Sequence, residues 1–577
     1  MPMKTLLPFL KPYRKQCVLS PLFKLLEAVL ELLVPLMMAA IIDNGIHARD
    51  QDYVLRMGLL LAALGLLGFA SSATAQFFAA KAAVGFAARL KSALFSHIQA
   101  FSYTELDALG APTLINRMTT DVNQVQTGLN MTLRLLLRSP FIVFGAMVMA
   151  FTVDASAALI FVALIPLLAA VVVGVMRLTL PRHRQTQGQL DRVLLRTREN
   201  LTGVRVLRAF NKQESEEARF DGENDRLCEM QRRVGRISAL MNPLTYVLVN
   251  SALIVLLWSG GWQVQAGSLS QGAVVALVSY LSQILVELIK LANLIVTMTK
   301  AVACAGRLEA VLRRESSMKE PSRPLPARTG APERVQFHNV SMRYQGAGAD
   351  SLAEISFTAL RGQTVGVIGG TGSGKTTLVN LIPRFYDASS GEVLVNGVNV
   401  KHQALPALRE KIAVVPQKAV LFEGSIRENL RWGNLNASDD ELWDALETAR
   451  AAEVVRGKAL GLDEPIEQNG RNLSGGQRQR LTIARALVKK PDILILDDSA
   501  SALDYATDAA LRKALREMES PATVFVVSQR ASSVRFADCI LVLDDGRLAG
   551  CGTHEQLLQT CPVYQEIYYS QYPKEAI

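Results

Sequence analysis

The residues Gly369-Gly370-Thr371-Gly372-Ser373-Gly374-Lys375-Thr376 fit the spacing GxxxxGK[ST]. The apolar run Thr364 to Ile368 precedes them and Thr377-Leu-Val-Asn-Leu-Ile follows. That order predicts strand, glycine-rich loop and helix, the setting in which such a loop cradles phosphates. Glycines let backbone N–H groups turn inward, and the helix start adds partial positive charge. Lys375 is then expected to reach the β- and γ-phosphates of a nucleotide, and Thr376 to offer its hydroxyl to Mg²⁺. Ile493-Leu-Ile-Leu-Asp497 reads as a buried strand ending on a carboxylate, suited to Mg²⁺ through a water. Leu473-Ser474-Gly475-Gly476-Gln477 supplies a hydroxyl and free N–H groups at a helix start, a second clamp for an anion.

These residues need a scaffold. Short β-like runs (TVGVIG, IAVVP, ILILD, TVFVVS) alternate with helical segments beyond residue 332, which predicts an α/β domain with a mainly parallel sheet over 333–577. Ser316 to Pro332 holds four prolines and no apolar period, and reads as a linker. Upstream, over 1–315, apolar stretches alternate with charged ones. Six are long enough to cross a bilayer: about Cys17–Ile42, Val54–Ala80, Met131–Val153, Ala155–Leu178, Pro243–Val264 and Gly272–Val296. Met1 to Lys15 is basic, but the apolar run behind it is too long for a signal peptide and lacks a cleavage site, so the first helix is expected to remain. Lys4, Lys11, Arg14 and Lys15, with Lys81, Arg89, Lys91 and Arg117 and the arginines from Arg182 to Arg208, mark one side of the membrane as cytoplasmic. The two long basic segments are expected to be helical extensions of the spans into the cytosol. The fold class is therefore membrane α-helical, six transmembrane helices with long extensions, plus an α/β phosphate-loop nucleotide-binding domain.

Composition agrees. The 577 residues are 50% hydrophobic, with a mean hydropathy of +0.20. That excludes a disordered, collagenous or disulfide-stapled chain. The formal charge of +10 fits a positive-inside membrane protein that handles phosphates. No basic block interleaved with aromatics points to nucleic acid as a partner. The six cysteines show neither paired nor metal-ligand spacing, and read as ordinary thiols.

With the phosphate loop, Asp497, LSGGQ at Leu473–Gln477 and six preceding spans in place, the chain resembles an exporter-type ABC half-transporter over nearly its whole length. The resemblance implies two nucleotide domains meeting head to tail, with each ATP held between the phosphate loop of one and the LSGGQ of the other. By the same resemblance Tyr344 stacks on adenine, Gln417 joins Mg²⁺ and the γ-phosphate to the membrane domain, and Ser501-Ala-Leu-Asp504 is a dimer-contact loop. Coupling segments are expected around Asp107 to Thr119 and Arg208 to Glu214.

This sequence departs from the family pattern at three positions. The family places Glu after the strand-end Asp to polarise the attacking water; here Asp498 is shorter by one methylene, about 1.5 Å. The family's His after the next strand is here Gln529, which carries no titratable proton. Gln468 stands where exporters usually carry Glu. The pattern implies the degenerate-site half of a heterodimer. This chain's Lys375 and Asp497 would hold ATP for slow hydrolysis, while its Ser474 and Gly476 complete the partner's site. ATP, Mg²⁺, a second half-transporter and the bilayer are the implied companions. The cargo expected is an amphipathic small molecule, a drug or lipid, with a cationic one favoured. A lipid or peptide exporter and a regulatory ATP-binding subunit are the alternatives.

Overall fold

A computed structural model describes residues 5–326, 328, 330–499, 503–518 and 522–572. The chain divides into two compact units, Met1–Gln99 with Pro112–Arg314, and Ala100–Ala111 with Glu315–Ile577.

The first unit is helical. Its six apolar helical stretches are Leu7–Ile46, Gln51–Gln99, Ala111–Val153, Ala155–Thr202, Gln213–Gln265 and Gln271–Leu312. The second is one helix of 49 residues and the fourth one of 48. At 1.5 Å per residue each runs to about 70 Å, far more than a hydrocarbon core of about 30 Å needs. The extensions expected from the basic segments are these surplus lengths. Leu66, Phe69 and Trp258 are 71%, 73% and 71% exposed. So much apolar surface is costly against water and costs nothing against lipid.

The outer turns are short and closed by side chains. Asp154 alone separates the third and fourth spans: its extended backbone ends one helix, and its carboxylate accepts from Ala157 N at 2.7 Å to start the next. Asp43 accepts from Gly272 N (2.8 Å) and the Ser270 hydroxyl (2.5 Å), tying the first span to the sixth. A methyl group at Gly272 would sit 2.3 Å from the Ala39 carbonyl oxygen, so only glycine permits that approach.

In the second unit, a four-stranded antiparallel sheet runs in the order 352–360, 333–342, 390–395, 398–399. A six-stranded sheet runs 547–552, 539–544, 364–369, 523–527, 493–497, 412–415 and is parallel except at its 547–552 edge. The central strands are apolar on both faces because helices cover them: Ile493–Asp497 and Thr523–Val527 are buried at every residue. Val527 lies level with Val367 on one side and Asp497 on the other, so the carboxyl ends of three strands converge. Open α/β sheets bind ligands at such an edge.

Ser316 to Pro332 carries no helix or strand among its described residues, with Ala327 and Thr329 outside them. It is tied down by Leu325 N to His402 O (2.8 Å) and Arg328 N to Asn396 O (3.2 Å).

Ala100–Ala111 interrupts the membrane domain in chain order, yet packs with the second unit. Its helix Tyr103–Leu109 lays Tyr103 on Phe385, ring centroids 4.8 Å apart, and Asp107 accepts from the Tyr386 hydroxyl at 2.6 Å. Glu105 accepts from the Ser102 hydroxyl and from Ser317 N. Burial pushes the Glu105 carboxyl up, but these bonds from Ser102 and Ser317 outweigh it and hold it below the usual range. Tyr386→Phe keeps the ring and deletes the donor. The expected cost is about 1 kcal/mol, since the partner carboxylate stays solvated. A melting point lowered by about 2–4 °C would register it.

Candidate nucleotide site

The loop after Thr364–Gly369 turns on two close approaches. A methyl at Gly369 would meet the Leu543 carbonyl oxygen at 2.2 Å. A methyl at Gly374, where φ is +93°, would meet the Ser351 carbonyl oxygen at 2.6 Å. Lys375 then opens the helix Lys375–Leu381. Its ammonium folds back to donate to Gly369 O (3.0 Å) and Gly370 O (2.6 Å). Burial lowers the Lys375 pKa, opposed by Asp498 and Asp497. Thr376 donates to both carboxylate oxygens of Asp497 at 3.0 Å.

Asp498 has φ +45°, a left-handed backbone held by its N–H on Val527 O at 3.0 Å. Gln417 Nε2 donates to its carboxylate at 3.3 Å. Burial raises the Asp498 pKa, against Gln417, Lys375 and Arg530. Burial likewise raises that of Asp497, against its Thr376 bond. Tyr344 closes the other end, its hydroxyl 3.0 Å from Thr377 Oγ1 and its ring edge-on to Tyr386.

One cleft of about 340 Å³ gathers Tyr344, Thr371, Gly372, Gly374, Lys375, Thr376, Thr377, Gln417, Asp497, Asp498 and Gln529, with Ser351 and Val527 beside them. Gly369, Gly370 and Ser373 form the loop at its floor. The Ser373 hydroxyl is buried with no hydrogen-bond partner among the described residues, an open valence that a phosphate oxygen would fill. The donor set of Thr376 hydroxyl, Asp497 carboxylate and Gln417 amide is oxygen-rich and fits Mg²⁺. Among the described residues, no group of three or more His, Cys, Asp or Glu could hold a metal ion.

Other expected residues lie outside this cleft. Ser474 caps the helix Gly475–Val488, its hydroxyl accepting from Gln477 N at 3.2 Å while Gln477 Oε1 accepts from Ser474 N at 2.9 Å. Ser474 and Gly475 are exposed and Gly476 partly so. Asp504 caps the helix Tyr505–Arg516 through Thr507 N at 2.8 Å. Ser501 and Ala502 lie outside the described residues. Gln468 sits in a tight turn beside Asn469 at φ +60°. Ser351, at the cleft wall, gave no signal in the sequence, because a loop serine is chemically silent there.

The raised Asp497 pKa has a consequence for stability. Stability from this group is fully present below the ordinary carboxylate pKa and is lost as pH rises through the raised value. At neutral pH the buried charge therefore costs the nucleotide-free domain. Asp497→Asn should raise its melting point by a few degrees, at about 2–4 °C per kcal/mol, while erasing stabilisation by Mg-ATP. A melting point that falls without nucleotide would contradict this.

Six spans joined to a nucleotide cleft of this build define a membrane protein that couples ATP to work in the bilayer. Residues 17–288 match the ABC transporter transmembrane region, and residues 352–501 match the family described as ABC transporter. YfiB of Bacillus subtilis, an uncharacterized ABC transporter ATP-binding protein, is 36% identical over 573 residues, 99% of each chain. An uncharacterized ABC transporter ATP-binding protein of Mycobacterium bovis is 35% identical over 565 residues, 97% of each chain. The chain belongs to the ABC transporters. A solved bacterial Atm1-family ABC exporter with ATP bound shares the fold, at TM-score 0.81 and 23% identity over 98% of this chain and 99% of that one. The protein is thus a multi-pass membrane ATPase with its nucleotide-binding domain in the cytoplasm.

Proposed function

We propose that this chain is one half of a heterodimeric exporter, with a membrane domain over 1–315, a linker over 316–332 and a nucleotide domain over 333–577. It moves an amphipathic small molecule, a drug or lipid, outward at the expense of ATP. The observation that carries the reading is the pairing of Asp498 and Gln529 in one cleft with an intact phosphate loop. The cleft supplies charge and donors for binding, but its water-facing carboxylate is one methylene short and its γ-phosphate partner is uncharged. Mg²⁺, held by Thr376, Gln417 and Asp497, would neutralise phosphate charge. Lys375 and the loop N–H groups orient the nucleotide, and Tyr344 takes the base.

The cleft has one wall. The cap at Ser474, Gly475 and Gly476 lies outside the cleft and suits a phosphate held by another subunit. The short helix Val204–Ala209 leaves Val206 and Phe210 59% and 71% exposed, an apolar tip fit to rest on the partner's nucleotide domain. Closure of the two nucleotide domains over ATP would pass along the long helices and turn the membrane cavity outward.

The test is purification of the full chain from its native membrane. A second half-transporter in equal amount, carrying Glu and His at the two positions, is expected. A self-sufficient homodimer with vigorous ATP turnover and cargo uptake would refute the reading. The same Asp498 and Gln529 pair favours, as second reading, a regulatory subunit that binds ATP without pumping. Failure of ATP-dependent uptake into inverted vesicles with the partner present would select it.

A further inference from the structure

The first, third and sixth spans meet in a row of ion pairs. The third span is broken after Leu135, and Arg138 opens the helix Arg138–Val153 that resumes it. The Arg138 guanidinium donates to Glu31 and Glu287, each at 2.6 Å. Glu287 also accepts from Ser139 (2.8 Å) and Lys290 (2.7 Å). To one side Lys24 pairs with Glu27 at 2.5 Å. Arg138 and Glu287 are 6% and 2% exposed, whereas the Glu31 and Lys290 side chains are 39% and 41% exposed.

Depth decides what that exposure means. Glu31 stands 12 residues from the outer turn at Asp43, Arg138 stands 16 from Asp154, and Glu287 and Lys290 stand 17 and 20 from Ser270. At 1.5 Å per residue that is roughly 18–30 Å down, from the interior of a hydrocarbon core of about 30 Å at Glu31 to its inner edge at Lys290. A half-exposed charge at the depth of Glu31 faces the bundle interior or water and not lipid tails, and Lys290 opens at the inner end of the same row.

The row reads Glu31 negative, Arg138 positive, Glu287 negative, Lys290 positive. The inner two are consumed by their neighbours. The outer two each keep an open side, and they are opposite in sign. With Lys24 and Glu27 included, three cations face three anions, so the cluster exerts no net pull on a singly charged molecule. The buried Arg138 Nε has no partner among the described residues, leaving one further donor in the row.

We propose that this array recognises the head of a zwitterionic amphiphile, with the cationic group on Glu31 and the anionic group on Lys290. The assignment rests on the export reading and narrows it, replacing a cationic cargo by a doubly charged, neutral one. A bilayer lipid and a water-borne zwitterion share this chemistry.

The experiment measures binding of three radiolabelled probes with one chain length, hexadecylphosphocholine, hexadecyltrimethylammonium and hexadecyl sulfate, to the full chain in phosphatidylglycerol nanodiscs. The zwitterion should bind at least about tenfold tighter than either singly charged probe. Glu31→Gln should bring it down to the level of the sulfate, and Lys290→Gln to that of the ammonium. Unchanged ATP binding by both variants verifies folding. Equal binding of all three probes, or a preference untouched by both neutralisations, overturns the proposal. Phosphatidylethanolamine added to the nanodiscs separates the sources: competition with the probe identifies a lipid, and an undiminished preference a water-borne zwitterion, each in keeping with the site. ATP-dependent uptake of the probes into inverted vesicles bears on export separately. Binding preference without uptake sinks the export reading alone, and uptake without preference sinks this one alone.

Discussion

Asp498→Glu combined with Gln529→His is expected to raise ATP turnover in this chain's own cleft by about ten- to a hundredfold. The reason is geometric. A displacement of about 1 Å at a reacting group can cost roughly a hundredfold, and the aspartate arm falls short by about 1.5 Å. The backbone around Asp498 is already fixed by its bond to Val527, so a longer side chain extends the carboxylate without moving the strand. Histidine at 529 adds a donor that can carry charge beside the γ-phosphate. The measurement is phosphate release by the purified full chain, with each single variant beside the double. Turnover unchanged in the double variant would remove the physical basis for calling this cleft impaired.

The second large effect concerns asymmetry. In the complex with its partner, Gly476→Asp should lower total ATP turnover at least about a hundredfold, because a carboxylate set against phosphates costs several kcal/mol. Asp498→Asn in the same chain should lower it less than about threefold, since little turnover passes through that cleft. The ordering of the two variants is the diagnostic. Equal losses from both would mean that the two sites work alike, and a larger loss from Asp498→Asn would reverse the assignment of roles.

Much of this was legible in the sequence because it is written in local patterns. The phosphate loop needs its glycines at fixed offsets and its lysine at the helix start. The spans announce themselves by length, and the strand to Asp497 by an unbroken apolar run. What escaped is what depends on distant partners. Glu27, Glu31, Glu287 and Lys290 are visible in the sequence as ionisable residues within the spans, but ranking them requires Arg138. That arginine looks like an ordinary boundary charge until the break after Leu135 places it at the centre of the row. The neighbourhood of the Cys539 and Cys551 sulfurs, 3.3 Å apart, comes from the register of an edge hairpin that spacing alone does not disclose. The bond between Asp107 and Tyr386 joins residues 279 positions apart, and no periodicity foretells it.

That separation has a cost in time. Tyr103 leaves the ribosome about 280 residues before Phe385, and at roughly 5–20 residues per second it waits on the order of 15–60 s for the ring it packs against. During that interval a short cytosolic helix hangs between two finished hairpins of the membrane domain with its aromatic face uncovered. A nascent chain stalled before residue 385 therefore leaves Tyr103 without the ring it packs against and Asp107 without its donor.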